Sequence, residues 1–288
     1  MRINNIQDYI NAIEKLKHKY SYNTGGFNNI VIEPKFLFRG HGNHKKYKLE
    51  PKILRTKKAQ YGFTTQFSQL EYNILADFIS EAKAFEKNIL VNDIQAWLEV
   101  AQHYKVPTRL LDFTENPLVA LYFACRSETE EVASVWIVNE DLYAEKIWNA
   151  PFLKMTIDSQ MIVSSIIERE ILLLGKQKRN NLIDYEYPWI YKPQYRDERM
   201  KLQSSMFMIW GSKRCALTEM ISEHDYMNFD DKEVIKSDSS GFLCALEINP
   251  EAKSDILKQL DMLGINEKFI YPGLEGIGKT IAKKYSAD

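Results

Sequence analysis

A dense polar stretch of the chain lies where its flanks demand burial. Residues 102–115 read Gln102-His103-Tyr104-Lys105-Val106-Pro107-Thr108-Arg109-Leu110-Leu111-Asp112-Phe113-Thr114-Glu115. Upstream, Ile94, Trp97, Leu98 and Ala101 recur at helical spacing. That helix should stop near Tyr104, because Pro107 disfavours helical backbone at Val106. Downstream, Asn116-Pro117 opens a second helix, with proline suited to its first turn. Val119, Ala120, Tyr122 and Phe123 make that helix apolar on most sides, which predicts deep burial. Charged groups between two buried helices must be paired. Arg109 and Asp112 can pair with each other, or one of them can pair with Arg39. The result is either a polar network that locks the fold or a site with perturbed acid–base behaviour.

The rest of the chain supplies a frame for this block. Ile6, Ile10, Ile13 and Leu16 predict an opening amphipathic helix, and residues 21–29 a polar loop broken at Gly25-Gly26. Phe36-Leu37-Phe38 predicts a short buried strand ending at Arg39-Gly40. Phe67, Leu70, Ile74 and Phe78 return to helical period. Residues 133–138 (Ala-Ser-Val-Trp-Ile-Val) are the best strand, and residues 189–191, 207–210 and 242–248 are further extended pieces. Residues 161–174 read as helix, residues 225–240 as a surface loop. Asn249-Pro250 opens a helix that ends at Gly264. Phe269-Ile270-Tyr271-Pro272 reads as extended, and a helix bearing Leu274, Ile277 and Ile281 closes the chain. Helices and strands mix without regular alternation, so the expected class is α+β: a single domain over residues 1–288, with a mixed sheet flanked by helices. Residues 1–30 would form its N-terminal helix and loop, and residues 31–288 its core.

Composition narrows the function. The net charge of −1 gives no whole-molecule field towards nucleic acid or anionic membrane, so a polyanion site must be a local patch. No apolar run approaches a membrane span and the N-terminus has no signal-like core, which predicts a cytoplasmic protein without membrane partners. Cys125, Cys215 and Cys244 are widely spaced and read as buried free thiols. His41 and His44 sit three apart without a third ligand, so no metal is expected. Gly273 to Thr280 formally matches a phosphate-binding loop, but almost no chain follows to build the surrounding sheet, so a helix explains it better. The basic run at residues 45–58 holds seven Lys or Arg against Glu50. It reads as a solvated loop, or as a phosphate or nucleic-acid contact beside Arg39.

Arg39 follows three bulky apolar residues, and a guanidinium at a strand end can grip phosphate or carboxylate in bidentate fashion. It can equally pair with a structural carboxylate. Gly40 would let the backbone turn and a ligand approach. Phe38-Arg39-Gly40, the spacing of Tyr47, Leu49, Pro51 and Arg55, and the run from Ala101 through Asp112 to Ala124 together resemble the FRG domain. Residues 199–207, with Gln203, and residues 252–276 are similar to further family elements. One departure is Ser204-Ser205, where the family more often has glycine after the glutamine.

A further resemblance is to ADP-ribosyltransferases of the arginine–serine–glutamate class. There an arginine on the first core strand holds the NAD phosphates and a polar strand–turn leads into a helix. Arg39 and the segment Leu111-Asp112-Phe113-Thr114 look like those two elements; for the later glutamate, Glu247 and Glu275 are only candidates. What the resemblance implies is an ADP-ribosyltransferase-like core and a nucleotide-handling effector in a toxin or phage-defence setting, with NAD as a candidate and the cofactor otherwise open. Arg39, Gly40, Gln102, Thr108, Arg109, Thr114 and Gln203 would bind ligand. Asp112, Glu115 and His103 would act in catalysis, a carboxylate steadying the positive charge that develops on ribose. Tyr104, Tyr122 and Phe113 would clamp the nicotinamide. The alternative is a non-enzymatic module that binds nucleic acid or another phosphorylated ligand.

Overall fold

The computed structural model describes residues 1–23, 31–56, 64–148, 157–172, 185–227, 229 and 241–285. The expected loop at residues 21–29 and the expected loop at residues 225–240 lie largely outside them. The strands are β1 (Arg2–Ile3), β2 (Tyr22–Asn23), β3 (Val31–Ile32), β4 (Phe36–His41), β5 (Leu110–Thr114), β6 (Ala133–Asn139), β7 (Trp189–Tyr191), β8 (Ser205–Ile209) and β9 (Leu243–Ile248). The helices are α1 (Ile6–Tyr20), α2 (Thr64–Ala82), α3 (Ile94–His103), α4 (Pro117–Cys125), α5 (Glu140–Trp148), α6 (Ile157–Ile167), α7 (Glu198–Leu202), α8 (Leu217–Met220), α9 (Pro250–Met262), α10 (Glu267–Ile270) and α11 (Leu274–Tyr285). The class is α+β, with an open mixed sheet.

Seven strands form that sheet in the order β1-β9-β6-β4-β5-β8-β7, while β2 and β3 make a separate pair. Only β1 and β9 run parallel; the other neighbours are antiparallel. The β4–β6 ladder holds six partner pairs, whereas β4 meets β5 at one, Phe38 opposite Thr114. Beyond that pair the two strands diverge, and the sheet opens along a seam.

Alternation along the strands sorts side chains onto two faces. On one face Phe36, Phe38, Val135, Ile137 and Leu246 pack with α1, α4 and α9. Further along the same face Leu110, Phe207 and Ile209 pack with α2, α3 and α6. The opposite face, with Leu37, Leu111, Phe113, Trp136 and Met208, is covered by Leu49, Tyr143 and Leu217. Two helical layers therefore flank the seam. Helix α1 buries Ile6, Tyr9, Ala12, Ile13 and Leu16 into the first layer, so the N-terminal helix belongs to the core.

Several local expectations change. The β4 strand does not end at Arg39 but continues to His41, because Arg39, Gly40 and His41 still pair with Trp136, Val135 and Ser134. Gly40 therefore makes no turn. A methyl group there would overlap the carbonyl oxygen of Ala120, so glycine is what lets α4 lie against the strand. Asn116 caps α4, accepting from the backbone of Leu118 and Val119. Phe269-Ile270 lies in α10, which Asn266 caps, and is not extended. Helix α6 passes into a π-type turn over Glu168–Leu172. Helix α11 forms, but Leu274, Ile277 and Ile281 face solvent. The Gly273–Thr280 string has α10 before it, not a parallel strand. Cys125 and Cys244 are buried free thiols, while Cys215 is only partly covered.

Candidate functional site

The seam between β4 and β5 opens into a cleft of about 520 Å³. One wall is β4 with Tyr47, Lys48 and Arg55; the other is Asp112 to Thr114 with Gln203, Ser205 and Phe207. Helix α4 contributes Ala120, Phe123 and Arg126, the end of α3 contributes Gln102, His103 and Lys105, and α7 contributes Arg199.

Arg39 reaches across the seam. Its Nη1 donates to the Asp112 carbonyl oxygen at 2.6 Å, replacing a rung that the diverging strands no longer make. Its Nε donates to His41 Nε2 at 3.0 Å, which places the ring proton of His41 on Nδ1. The Asp112 carboxylate lies 3.8 Å from Nη1 and is more than half exposed. Burial lowers the Arg39 pKa, with Asp112 opposing and Arg55 adding to the fall; an arginine so placed still stays charged. Burial first, then Arg39 and Arg55, push the His41 pKa down to about 2, so this ring is a neutral acceptor for Arg39.

A chain of hydrogen bonds fixes Asp112. The Leu110 N–H donates to Thr108 Oγ1 at 3.2 Å, Thr108 Oγ1 donates to Gln102 Oε1 at 2.5 Å, and Gln102 Nε2 donates to Asp112 Oδ2 at 2.7 Å. Thr108 thus orients the Gln102 amide from outside the cleft and does not line it. Thr114 Oγ1 donates to the Gln203 carbonyl at 2.5 Å and accepts from Asn116 N–H at 2.9 Å. Gln203 Nε2 donates to the Ile270 carbonyl at 2.8 Å. Ser204 follows at φ +46°, so the left-handed turn that favours glycine is kept with a serine. His103 lines the cleft with Nδ1 2.9 Å from Asp197, the residue that caps α7.

Arg109 and Glu115 stand elsewhere. Arg109 is 1% exposed, with Nη2 2.5 Å from Glu71 Oε2 and Nη1 donating to the Trp210 carbonyl at 2.7 Å. Glu170 and Arg214 extend that buried cluster. Neither Asp112 nor Arg39 is its partner, because Leu110 and Leu111 separate it from the seam. Glu115 points to Lys192 at 3.6 Å and borders a smaller groove beside α1. The expected aromatic clamp is not formed in the cleft. Tyr104 is exposed and outside the lining, Tyr122 donates to Glu267, and the Phe113 ring is 3% exposed.

The chain also brings in residues that the sequence did not nominate for the site, His41, Lys105, Arg126, Arg199 and Tyr271, and from the basic run it brings Lys48 and Arg55. Arg126 at the end of α4 donates to the Tyr271 hydroxyl. The signals for Arg199 and Tyr271 were their places in the family-like stretches 199–207 and 252–276. Lys253, 1% exposed, donates to the carbonyls of Gly42 at 2.9 Å and Glu128 at 2.5 Å, pinning the cleft floor near Gly42 and Ser127. Among the described residues, no group of three His, Cys, Asp or Glu could hold a metal, and no helix is long and apolar enough to cross a membrane.

The family model of the FRG domain matches residues 34–132, from just before β4 to just before β6. The chain carries an FRG domain. The match covers Arg39, Gly40, the segment 102–115 and Arg126, so the FRG domain supplies β4, β5 and α4 around the seam. Arg199, Gln203, Ser205 and Tyr271 come from chain beyond the matched residues. No curated protein and no solved structure matches the chain.

Proposed function

We propose that this FRG-domain chain handles a nucleotide, which it grips by its phosphates in the seam cleft. The observation that carries this reading is the charge of the lining. Arg39, Lys48, Arg55, Lys105, Arg126 and Arg199 line it, Lys48 already paired with Glu219, and among the described lining residues Asp112 is the one carboxylate, on a protein whose net charge is −1. A concave site of one sign concentrates its field and draws in the opposite charge. Arg39 is pre-oriented through Nε and Nη1, and its Nη2 has no hydrogen-bond partner among the described residues, leaving N–H groups for a phosphate oxygen. The volume falls within the roughly 300–1,000 Å³ range of small-molecule sites. Calorimetry with ADP-ribose tests this directly: wild type should bind, and Arg39→Ala should weaken binding at least about tenfold. Equal affinity in both proteins would remove Arg39 from the site.

A second reading keeps NAD as substrate and glycosidic or ADP-ribosyl transfer as the reaction, in an effector, toxin or phage-defence role. It is favoured by Arg39 on an inner strand with a half-exposed carboxylate 3.8 Å away. Asp112 would steady the oxocarbenium-like charge on ribose. The six basic neighbours oppose that same charge, which is why binding ranks above transfer here. Free nicotinamide released from NAD by pure protein, and lost in Asp112→Asn, would establish cleavage of the glycosidic bond, with ADP-ribose in solution marking transfer to water and ADP-ribose on protein marking transfer to a side chain; nucleotide binding with no nicotinamide would leave binding alone. A nucleic-acid track along the basic stretch has less support. Lys46 pairs with Glu128 at 2.7 Å, Lys48 with Glu219 at 2.7 Å, and Lys52 donates to the Lys105 carbonyl.

A further inference from the structure

We propose that the cleft ranks nucleotides by their number of phosphates and is nearly indifferent to the base, an inference that rests on the phosphate-binding reading above. Recognition of a base needs an open aromatic face or fixed donors and acceptors on its edge. The rings of Phe38, Phe113 and Phe207 are sunk in the core, each 3% exposed. The other three Phe and Tyr rings of the lining already carry cations. Lys46 lies 5.3 Å from the Tyr47 ring centre, Arg126 lies 5.8 Å from that of Phe123, and Arg199 and Lys279 lie 4.6 Å and 3.5 Å from that of Tyr271. A base arriving there meets a guanidinium or ammonium, not a bare ring. Stacking on a guanidinium plane is available to every base, because every base has a π-face.

The amides that would read a base edge are each already held by a protein partner. Gln102 spends Oε1 on Thr108 and Nε2 on Asp112, and Gln203 spends Nε2 on the Ile270 carbonyl. By contrast, Arg55, Lys105 and Arg199 have no carboxylate within ion-pair distance among the described residues. These cations gain from each further negative charge on the ligand. A nucleoside triphosphate therefore fits the cleft better than a monophosphate, and better than NAD with its cationic ring.

The test is calorimetry on the full chain with adenosine, AMP, ADP and ATP, then GTP and UTP, at low and high salt. Affinity should rise about tenfold for each added phosphate, and this ladder should flatten in high salt. ATP, GTP and UTP should agree within about threefold. Arg55→Ala should weaken ATP more than AMP. A preference above about tenfold for one base, or equal affinity for AMP and ATP, overturns the inference while the phosphate-binding reading survives. If none of the phosphate compounds binds, the reading beneath it fails as well.

Discussion

Two arginines at adjacent strands of one sheet meet opposite fates. Arg109, the residue before β5, is sealed among Glu71, Glu170 and two backbone carbonyls, and both it and Glu71 are about 1% exposed. Arg39, on β4, leans on a backbone carbonyl and a neutral histidine, with its nearest carboxylate half in water. The first arrangement consumes the charge. The second holds the guanidinium still while leaving charge over for a ligand. A basic residue in a polar block is therefore sorted into scaffold or site by how completely carboxylates neutralise it, more than by its own burial.

The largest effect separates the two directly. Arg109→Met strands Glu71 in a dry interior and should cost about 3–5 kcal/mol, whereas Arg39→Ala loses two hydrogen bonds worth about 1 kcal/mol each. Urea titration measures both; equal losses would break the comparison. The double change Arg109→Met with Glu71→Met should recover most of the loss, since a buried pair is dispensable once both charges go.

Next comes pH. Burial pushes Glu99, 2% exposed, up to about 7 from an ordinary carboxylate value of 4.5. The folded state then holds this proton more tightly than the unfolded chain. The stabilisation is fully present below the unfolded value and is lost as pH rises through the folded one, by up to roughly 3 kcal/mol. Melting temperature should therefore fall between the two values, and Glu99→Gln should flatten that stretch of the profile. Gly40→Ala follows, at about 1–3 kcal/mol from overpacking against α4, and it should lower ligand affinity as the seam shifts. The smallest is Ser204→Gly. Relieving the left-handed serine against the extra freedom of unfolded glycine should leave a gain of some tenths to about 1 kcal/mol. A loss on melting would mean that the serine side chain has a role in the turn.

Much of the architecture was legible because it rests on local periodicity. The apolar runs at Ile6 to Leu16, at residues 133–138 and after Asn116-Pro117 appear as α1, β6 and α4. The extension of β4 to His41 was not legible, because the ladder with β6 overrides the break that Gly40 suggests. Phe269-Ile270 misled for the same kind of reason: two apolar residues in a row do not distinguish a strand from one buried helical turn. The cleft could be read only in part. Arg39, Gln102 and Asp112 are conspicuous in the string of letters, but the carboxylate that claims Arg109 lies on α2, 38 residues away. Charge pairing at that separation leaves no periodic trace. Arg199 and Tyr271 likewise reach the cleft only once β8 and α10 are in place.

Three consecutive positions in β4 answer to three different neighbours. Phe38 belongs to the packed interior beneath α1 and α4, Arg39 to the opening, and Gly40 to the main chain of a helix that leaves room for nothing larger than hydrogen. The tripeptide therefore works as a coordinate system, tying interior, opening and helix to one another. Exchange at its last position would move the floor under the second, so a chain with the arginine but not the glycine should be expected to have built its opening differently.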